Sequence, residues 1–390
     1  MKKLSRILTV FYLLGLISLF ADMVYEGGRS ISGAYLKGLE APPLGAALIG
    51  FGEFIGLVFR FFSGYLATIY QSSKTLWLFT FSGYMLTALS IPMLAFAGAW
   101  HFAVTLYIFD RIGKGLRAPT RDVILAEVSE GIGVGKGFGI HELMDQVGAF
   151  IGPLLVAVML VYWGYRGAFL SLLIPGIISI ALVLAAWSMY PTLKSISIER
   201  PRIGFKGFSK PFWIYVAASS ILALGFMHWS IASYYLKTYS VLSDVEIGLM
   251  YSIAMIVDAF VALPLGALFD RIGLGILFIN PILAFLFILM LVYIPQKPLL
   301  LLSAIPWGIV MCSEESIMRA SIVKLVEPSK RPLAYGLFGV VFGLAWATGG
   351  YIYSMLLTSK TYLIVYTLIT AITSLYLYHI LTSHIKGRQT

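Results

Sequence analysis

LGILFINPILAFLFILMLVYI, residues 274–294, carries no charged side chain over 21 positions. As an α-helix rising about 1.5 Å per residue it would cross the roughly 30 Å hydrocarbon core of a bilayer. Similar runs recur along the chain between short polar breaks. We place spans at 7–34, 44–70, 75–98, 102–124, 138–161, 166–190, 211–236, 245–269, 274–294, 298–325, 334–358 and 361–384. Backbone groups in lipid need internal partners, and continuous runs of this length satisfy them as helices rather than as a closed barrel. The expectation is an all-α membrane protein of twelve transmembrane helices. Composition points the same way: 59% of the 390 residues are hydrophobic and 12% are charged. That is too little charge to cover a soluble surface of this size.

The net charge of +10 sorts by side of the membrane. With the N-terminus inside, one side collects Lys2, Lys3, Arg6, Lys74, Arg117, Arg121, Lys136, Lys194, Arg200, Arg202, Lys206, Lys210, Arg271, Lys324, Lys330, Arg331, Lys386 and Arg388. The other side holds only Lys37, Arg166, Lys237, Lys297 and Lys360. The membrane expected is the plasma membrane, and this asymmetry puts both termini in the cytoplasm. It also makes the basic charge topogenic and argues against a nucleic-acid partner. The start of the chain resembles a signal peptide, but its apolar run continues into Asp22, Glu26 and Arg29, so it reads as a retained first helix. The single cysteine, Cys312, lies in an apolar run and cannot form an intrachain disulfide. Five histidines without paired helical spacing give no metal site. With no phosphate-binding loop or dinucleotide fingerprint, no cofactor is expected.

The longest polar stretch, PTLKSISIERPRIGFKGFSK at 191–210, reads as a cytoplasmic linker between a bundle at 1–190 and another at 211–390. Sliding the second half over the first by 202 residues pairs Gly64 with Gly266, Arg117-Ala118 with Arg319-Ala320, Gly148 with Gly350, and Glu26 with His228. One offset that aligns features in several helices indicates an internal repeat.

GALFDRIG at 266–273 resembles the G-x-x-x-D-R-x-G signature of the major facilitator superfamily, with Gly266, Asp270 and Arg271 in register. DRIGKGLRAP at 110–119 resembles that family's helix 4 motif R-x-x-Q-G through Arg111 and Gly115, with Lys114 where glutamine is usual. GAFIGP at 148–153, with Gly148, Gly152 and Pro153, is similar to the start of the helix 5 motif of its antiporters. Two departures stand out. The first-half loop reads GYLATIY from Gly64, with Thr68 and Ile69 in place of Asp-Arg, and Leu154-Leu155 replaces a glycine pair. The stretches ADMVYEGGRSISGAYL, FGIHELMDQVGAFIGPLL and WGIVMCSEESIMRASIVKLVEP are similar to an uncharacterised prokaryotic branch of the superfamily. The resemblance implies two pseudo-symmetric six-helix bundles, a cavity lined by the first helix, and a helix 4 arginine involved in proton coupling.

Charges inside spans are expensive and mark functional sites or structural pairs. Asp22, Glu26 and Arg29 share one face of the first helix, either as a proton- and anion-binding group or as a self-neutralising cluster. Glu53 and Arg60 lie seven apart on the second helix and look for partners elsewhere, with Arg29 a candidate for Glu53 and an acid for Arg60. Arg111 and Lys114 are cavity candidates, whereas Arg117 and Arg121 read first as anchors at the cytoplasmic surface. His141, Glu142, Asp145 and Gln146 open the fifth helix, where Glu142 and Asp145 are placed to neutralise Arg117 or Arg121. In the second half, Asp258, Glu314, Glu315 and Arg319 are the buried candidates. Glu315 and Arg319 are spaced to pair with each other. Asp258, with no basic partner within a turn, is the better titrating group. His228 is either a proton relay or a polar packing residue. Trp229, Tyr234, Tyr235, Trp307 and Trp346 either line the cavity or belong to interfacial belts.

The function expected is secondary transport of a small-molecule substrate by alternating access between the two halves. Proton-coupled efflux by an antiporter leads, on the partial helix 5 motif. Proton symport or facilitated uptake of a sugar-like or carboxylate solute stays open, as does a solute sensor or a membrane-embedded enzyme. The chain is expected to act as a monomer in the lipid bilayer.

Overall fold

The computed structural model describes residues 2–70, 72–193, 207–294, 296–327 and 330–386. Most of the predicted linker, with Lys194, Arg200, Arg202 and Lys206, lies outside these residues, as does Arg388. Among the described residues the chain is helical and has no β-strand. The helices are α1 (Lys2–Ser30), α2 (Ser32–Gly38), α3 (Pro43–Tyr70), α4 (Ser73–Met93), α5 (Trp100–Ser129), α6 (Val134–Ser171), α7 (Leu173–Met189) and α8 (Lys210–Gly225). They continue with α9 (Trp229–Thr238), α10 (Asp244–Ile272), α11 (Ile279–Tyr293), α12 (Lys297–Leu301), α13 (Ala304–Cys312), α14 (Met318–Leu325), α15 (Arg331–Leu356) and α16 (Lys360–Lys386). Nine helical segments among the described residues are long and apolar enough to cross a membrane.

Several runs that read as single helices are interrupted. The first breaks at Ile31, between α1 and α2. There the hydroxyls of Ser30, Tyr107 and Ser32 donate to the carbonyls of Gly27, Gly28 and Arg29. The seventh breaks over Phe226–His228, between α8 and α9. Four consecutive carbonyls at that break each accept from an aromatic donor. Tyr366 reaches Leu224 at 2.9 Å, Tyr353 reaches Gly225 at 2.7 Å, Trp346 reaches Phe226 at 2.8 Å and Trp307 reaches Met227 at 3.1 Å. Non-helical backbone is tolerated at such depth only where its polar groups find partners in the protein. The predicted tenth span is likewise divided, with a π-turn at Ser313–Ile317 between α13 and α14. Conversely, the expected loop between the fifth and sixth spans shrinks to a kink within α6 at Gly164, whose φ of 60° favours glycine.

Contacts cluster into two compact units. The first comprises Met1–Ala41, Ile55–Pro201 and Ser243–Ser252, the second Pro42–Phe54, Arg202–Leu242 and Ile253–Thr390. In the first, α1 packs against α6 and α7, and α4 against α5 and α7. Its core joins Phe11, Leu14, Trp77, Tyr84, Leu125 and Val183, and the Trp77 indole donates to the Tyr190 carbonyl at 3.0 Å. In the second, α8 packs against α15 and α16, and α11 against α13 and α16. The Tyr215 hydroxyl donates to the Met318 carbonyl at 2.6 Å.

Lipid tails are as apolar as leucine, so helix association in a bilayer relies on close backbone approach at small residues. Gly148 and Gly152 supply it: a Cβ at either position would run into the backbone of Leu19 or Met23 on α1. Gly148→Leu is expected to lower stability by about 1–3 kcal/mol through overpacking, read as a lower thermal unfolding midpoint of the purified protein. Gly266, also expected to permit close packing, faces no described heavy atom within 4 Å of its would-be Cβ. Gly266→Ala should therefore change stability by less than about 0.5 kcal/mol.

Candidate functional site

The charged residues of the first unit converge where α1 faces α5. Asp22, Tyr25, Glu26 and Arg29 follow helical spacing along one side of α1. Arg111, Lys114, Arg117 and Arg121 do the same on α5. The position of α5 is set by glycine. A Cβ at Gly115 would collide with the Gly56 carbonyl, and one at Gly56 would lie 2.8 Å from the Arg111 carbonyl, so α3 and α5 nearly touch there. The motif glycine thus holds the basic row of α5 in place.

Tyr25 is the hub, and sequence reading passed over it. The Arg29 Nη1 donates to its hydroxyl at 2.9 Å. The Arg111 guanidinium stands 3.6 Å from its ring centroid and the Lys114 Nζ 4.2 Å from it. Such cation–π contacts contribute roughly 0.5–2 kcal/mol each. Glu26 lies 3.8 Å from Arg29 and accepts from the Tyr251 hydroxyl of α10. Arg111 pairs with its neighbour Asp110, and both are buried.

Arg117 is 3% exposed, which corrects its expected place as a surface anchor. It donates to Thr87 at 2.7 Å, stands 4.6 Å from the Tyr84 ring centroid and lies 3.9 Å from Asp22. Arg121 is also drawn inward, donating to Asp122 at 2.8 Å and to Ser18 at 3.2 Å, with Asp145 at 3.9 Å. His141 lies 3.4 Å from Asp145. Glu142, the other expected neutraliser, is exposed and accepts from Gln146. Arg60 finds Asp122 at 3.9 Å.

Arg29 pairs with Glu26 at 3.8 Å, and Glu53 has a partner of its own. It lies in the second unit, 3.8 Å from the His228 Nε2. His228 caps α9 by accepting from the Ser230 amide and packs its ring 5.0 Å from Trp346. Trp307 and Trp346, weighed earlier as cavity-lining or belt residues, are buried donors to the α8–α9 break. Asp258 is buried, with the Cys312 thiol in hydrogen-bonding reach. Glu314 and Glu315 ride on the π-turn, a feature often found at functional sites. Arg319 is exposed rather than buried, as are Asp270 and Arg271.

Comparison with known proteins settles the family. The profile of the Major Facilitator Superfamily matches residues 46–245 and 226–388. The chain belongs to that superfamily. It is therefore a multi-pass membrane protein and a secondary transporter, not an enzyme. It is 36% identical over 354 residues to an uncharacterized protein of Mycobacterium tuberculosis, covering 88% of this chain and 85% of that one. To an uncharacterized MFS-type transporter of Methanocaldococcus jannaschii it is 29% identical over 350 residues, covering 85% and 84%. The nucleoside transporter NupG has the same fold, with a TM-score of 0.72 at 16% identity over 97% of this chain and 99% of that one. A POT family transporter bound to 5-aminolevulinic acid gives 0.74 at 14% identity, covering 96% and 95%.

Proposed function

We propose that this superfamily member exports a small organic solute in exchange for protons, with Glu26 the group that takes up the proton. One observation carries the reading. Glu26 is a buried carboxylate within a long apolar helix that accepts from the Tyr251 hydroxyl and lies 3.8 Å from Arg29. Exchange requires proton and solute to bind in alternation, so the solute would occupy the site while Glu26 is ionised and leave it when Glu26 is protonated. Asp22 and Asp258 are the secondary candidates for this role.

The architecture proposed is twelve spans in two six-helix bundles, 1–190 and 211–390, joined by the 191–210 linker and alternating about a central cavity. Nine apolar segments support it. Two of them, Val134–Met189 with 56 residues and Asp244–Tyr293 with 50, are long enough for two crossings each. The charged α5, with 30 residues, adds a further crossing. The basic-residue bias supports cytoplasmic termini, and the membrane proposed is the plasma membrane. We take the working unit as a monomer.

The test is flux in proteoliposomes with an imposed pH gradient. Solute should accumulate against its own gradient on the acidic side and equilibrate when the pH gradient is collapsed. Equal distribution with and without the pH gradient would sink proton coupling. A second reading, proton symport or facilitated uptake of a carboxylate solute, draws on the charge balance around Tyr25.

A further inference from the structure

Four of the five cations at the α1–α5 face have a carboxylate within 4.0 Å. Arg29 has Glu26, Arg111 has Asp110, Arg117 has Asp22 and Arg121 has Asp122. Lys114 has no such carboxylate among the described residues. Its ammonium rests against the Tyr25 ring, with Asp22 and Glu26 acting on it only from beyond ion-pair distance. Taking an ammonium out of water costs several kcal/mol, more than a cation–π contact of roughly 0.5–2 kcal/mol returns. Lys114 is half-buried midway along α5. Arg111 lies on the same ring, and Arg29 holds the ring's hydroxyl. Three donors of positive charge thus converge on one aromatic side chain, and one of them has no carboxylate within 4.0 Å among the described residues.

We infer that Lys114, with Arg111 and Tyr25 beside it, is the binding subsite for an anionic group, a carboxylate or phosphate, on the transported solute. The inference rests on the transporter reading for the statement that this ligand is the cargo. The binding itself does not depend on flux. The ammonium supplies the missing ion pair, the Arg111 guanidinium offers planar donors, and the Tyr25 ring packs against the apolar part of the solute. Lys114 is a stronger anion ligand than the glutamine usual in the resembling motif, because a charge-assisted hydrogen bond is roughly twice as strong as a neutral one.

The experiment is thermal unfolding of the purified full chain in phosphatidylcholine nanodiscs. Succinate, benzoate and glycerol 3-phosphate are titrated against their neutral counterparts succinamide, benzamide and glycerol. At least one anion is expected to raise the unfolding midpoint saturably while its neutral counterpart does not. Lys114→Gln should weaken that anion at least tenfold, and Lys114→Arg should retain it. Stabilisation by neutral solutes alone, equal response in Lys114→Gln, or no response to any of the three anions would overturn the subsite. So would stabilisation confined to nanodiscs containing phosphatidylglycerol, which would identify the anion as a lipid headgroup. The wild-type comparison of anion with neutral counterpart stands even if Lys114→Gln does not fold. Counterflow of the stabilising anion in proteoliposomes separates the two readings. Binding without flux keeps the subsite and removes the transporter cargo, whereas flux of the anion that Lys114→Gln leaves unchanged keeps the transporter and removes the subsite.

Discussion

Glu26→Gln is expected to abolish accumulation driven by a pH gradient while leaving counterflow of the solute intact. Glutamine has nearly the shape of glutamate and keeps an acceptor for the Tyr251 hydroxyl, so the α1–α10 contact survives. It cannot gain or lose a proton near neutral pH, and Arg29 loses the counter-charge 3.8 Å away. The size of the effect follows from the driving force. One pH unit is worth about 1.4 kcal/mol per proton, so an antiporter exchanging one proton per solute sustains roughly a tenfold solute ratio per unit. The variant should fall to a ratio near one. Counterflow requires only that the loaded carrier reorient, so it should persist. A variant that still holds the wild-type ratio would remove Glu26 from the coupling step and leave Asp22 and Asp258 to be tested by the same measurement.

The largest effect on stability is expected from Arg117→Met. The guanidinium donates to Thr87 at 2.7 Å, stands 4.6 Å from the Tyr84 ring centroid and is the cation 3.9 Å from Asp22. Removing one member of a buried pair costs about 3–5 kcal/mol, because the remaining charge stays desolvated. The Asp22 side chain keeps 17% of its exposure, so water reaches it and the lower end, about 3 kcal/mol, applies. Adding Asp22→Asn should recover part of this loss, since the amide carries no stranded charge. The double-mutant cycle, read from unfolding midpoints of the four proteins, should give a coupling of about 0.5–3 kcal/mol. Strict additivity would mean that Arg117 stabilises the first unit through Thr87 and Tyr84 alone.

Much of the site could be found in the sequence because charge in a long apolar run has few innocent explanations. Asp22, Glu26, Arg29, Arg111, Lys114 and Asp145 were all singled out on that ground, and the structure gathers them in the first unit. Tyr25 was missed, although helical spacing places it between Asp22 and Arg29 on the same face. A tyrosine carries no charge to attract attention, and its role depends on what packs against its ring. Tyr251 offered no signal at all, since it lies 225 positions from Glu26 in the chain. The repeat paired Arg117 with Arg319 and Glu26 with His228, yet the members of each pair differ. Arg117 is buried and Arg319 exposed, while Glu26 lies near the C-terminal end of α1 and His228 caps the start of α9.

The sequence by itself determined that this chain is a helical membrane protein of the Major Facilitator Superfamily. Hydrophobic length and the obligation to satisfy backbone groups in lipid are local properties, readable one segment at a time. It also determined which charges needed an explanation. Tertiary structure alone decided their partners, because an ion pair or a cation–π contact is set within a few ångströms by helices distant in sequence. It likewise decided where helices break. The α8–α9 interruption exists because four aromatic donors from α13, α15 and α16 meet four successive carbonyls there. The run from 211 to 236 carries no charged side chain and reads as one span, with Gly225 and His228 its only local signs of the break. Lys114 shows the same division: its charge in an apolar run is local, but the absence of a carboxylate within 4.0 Å among the described residues is set by the packing of α1 against α5.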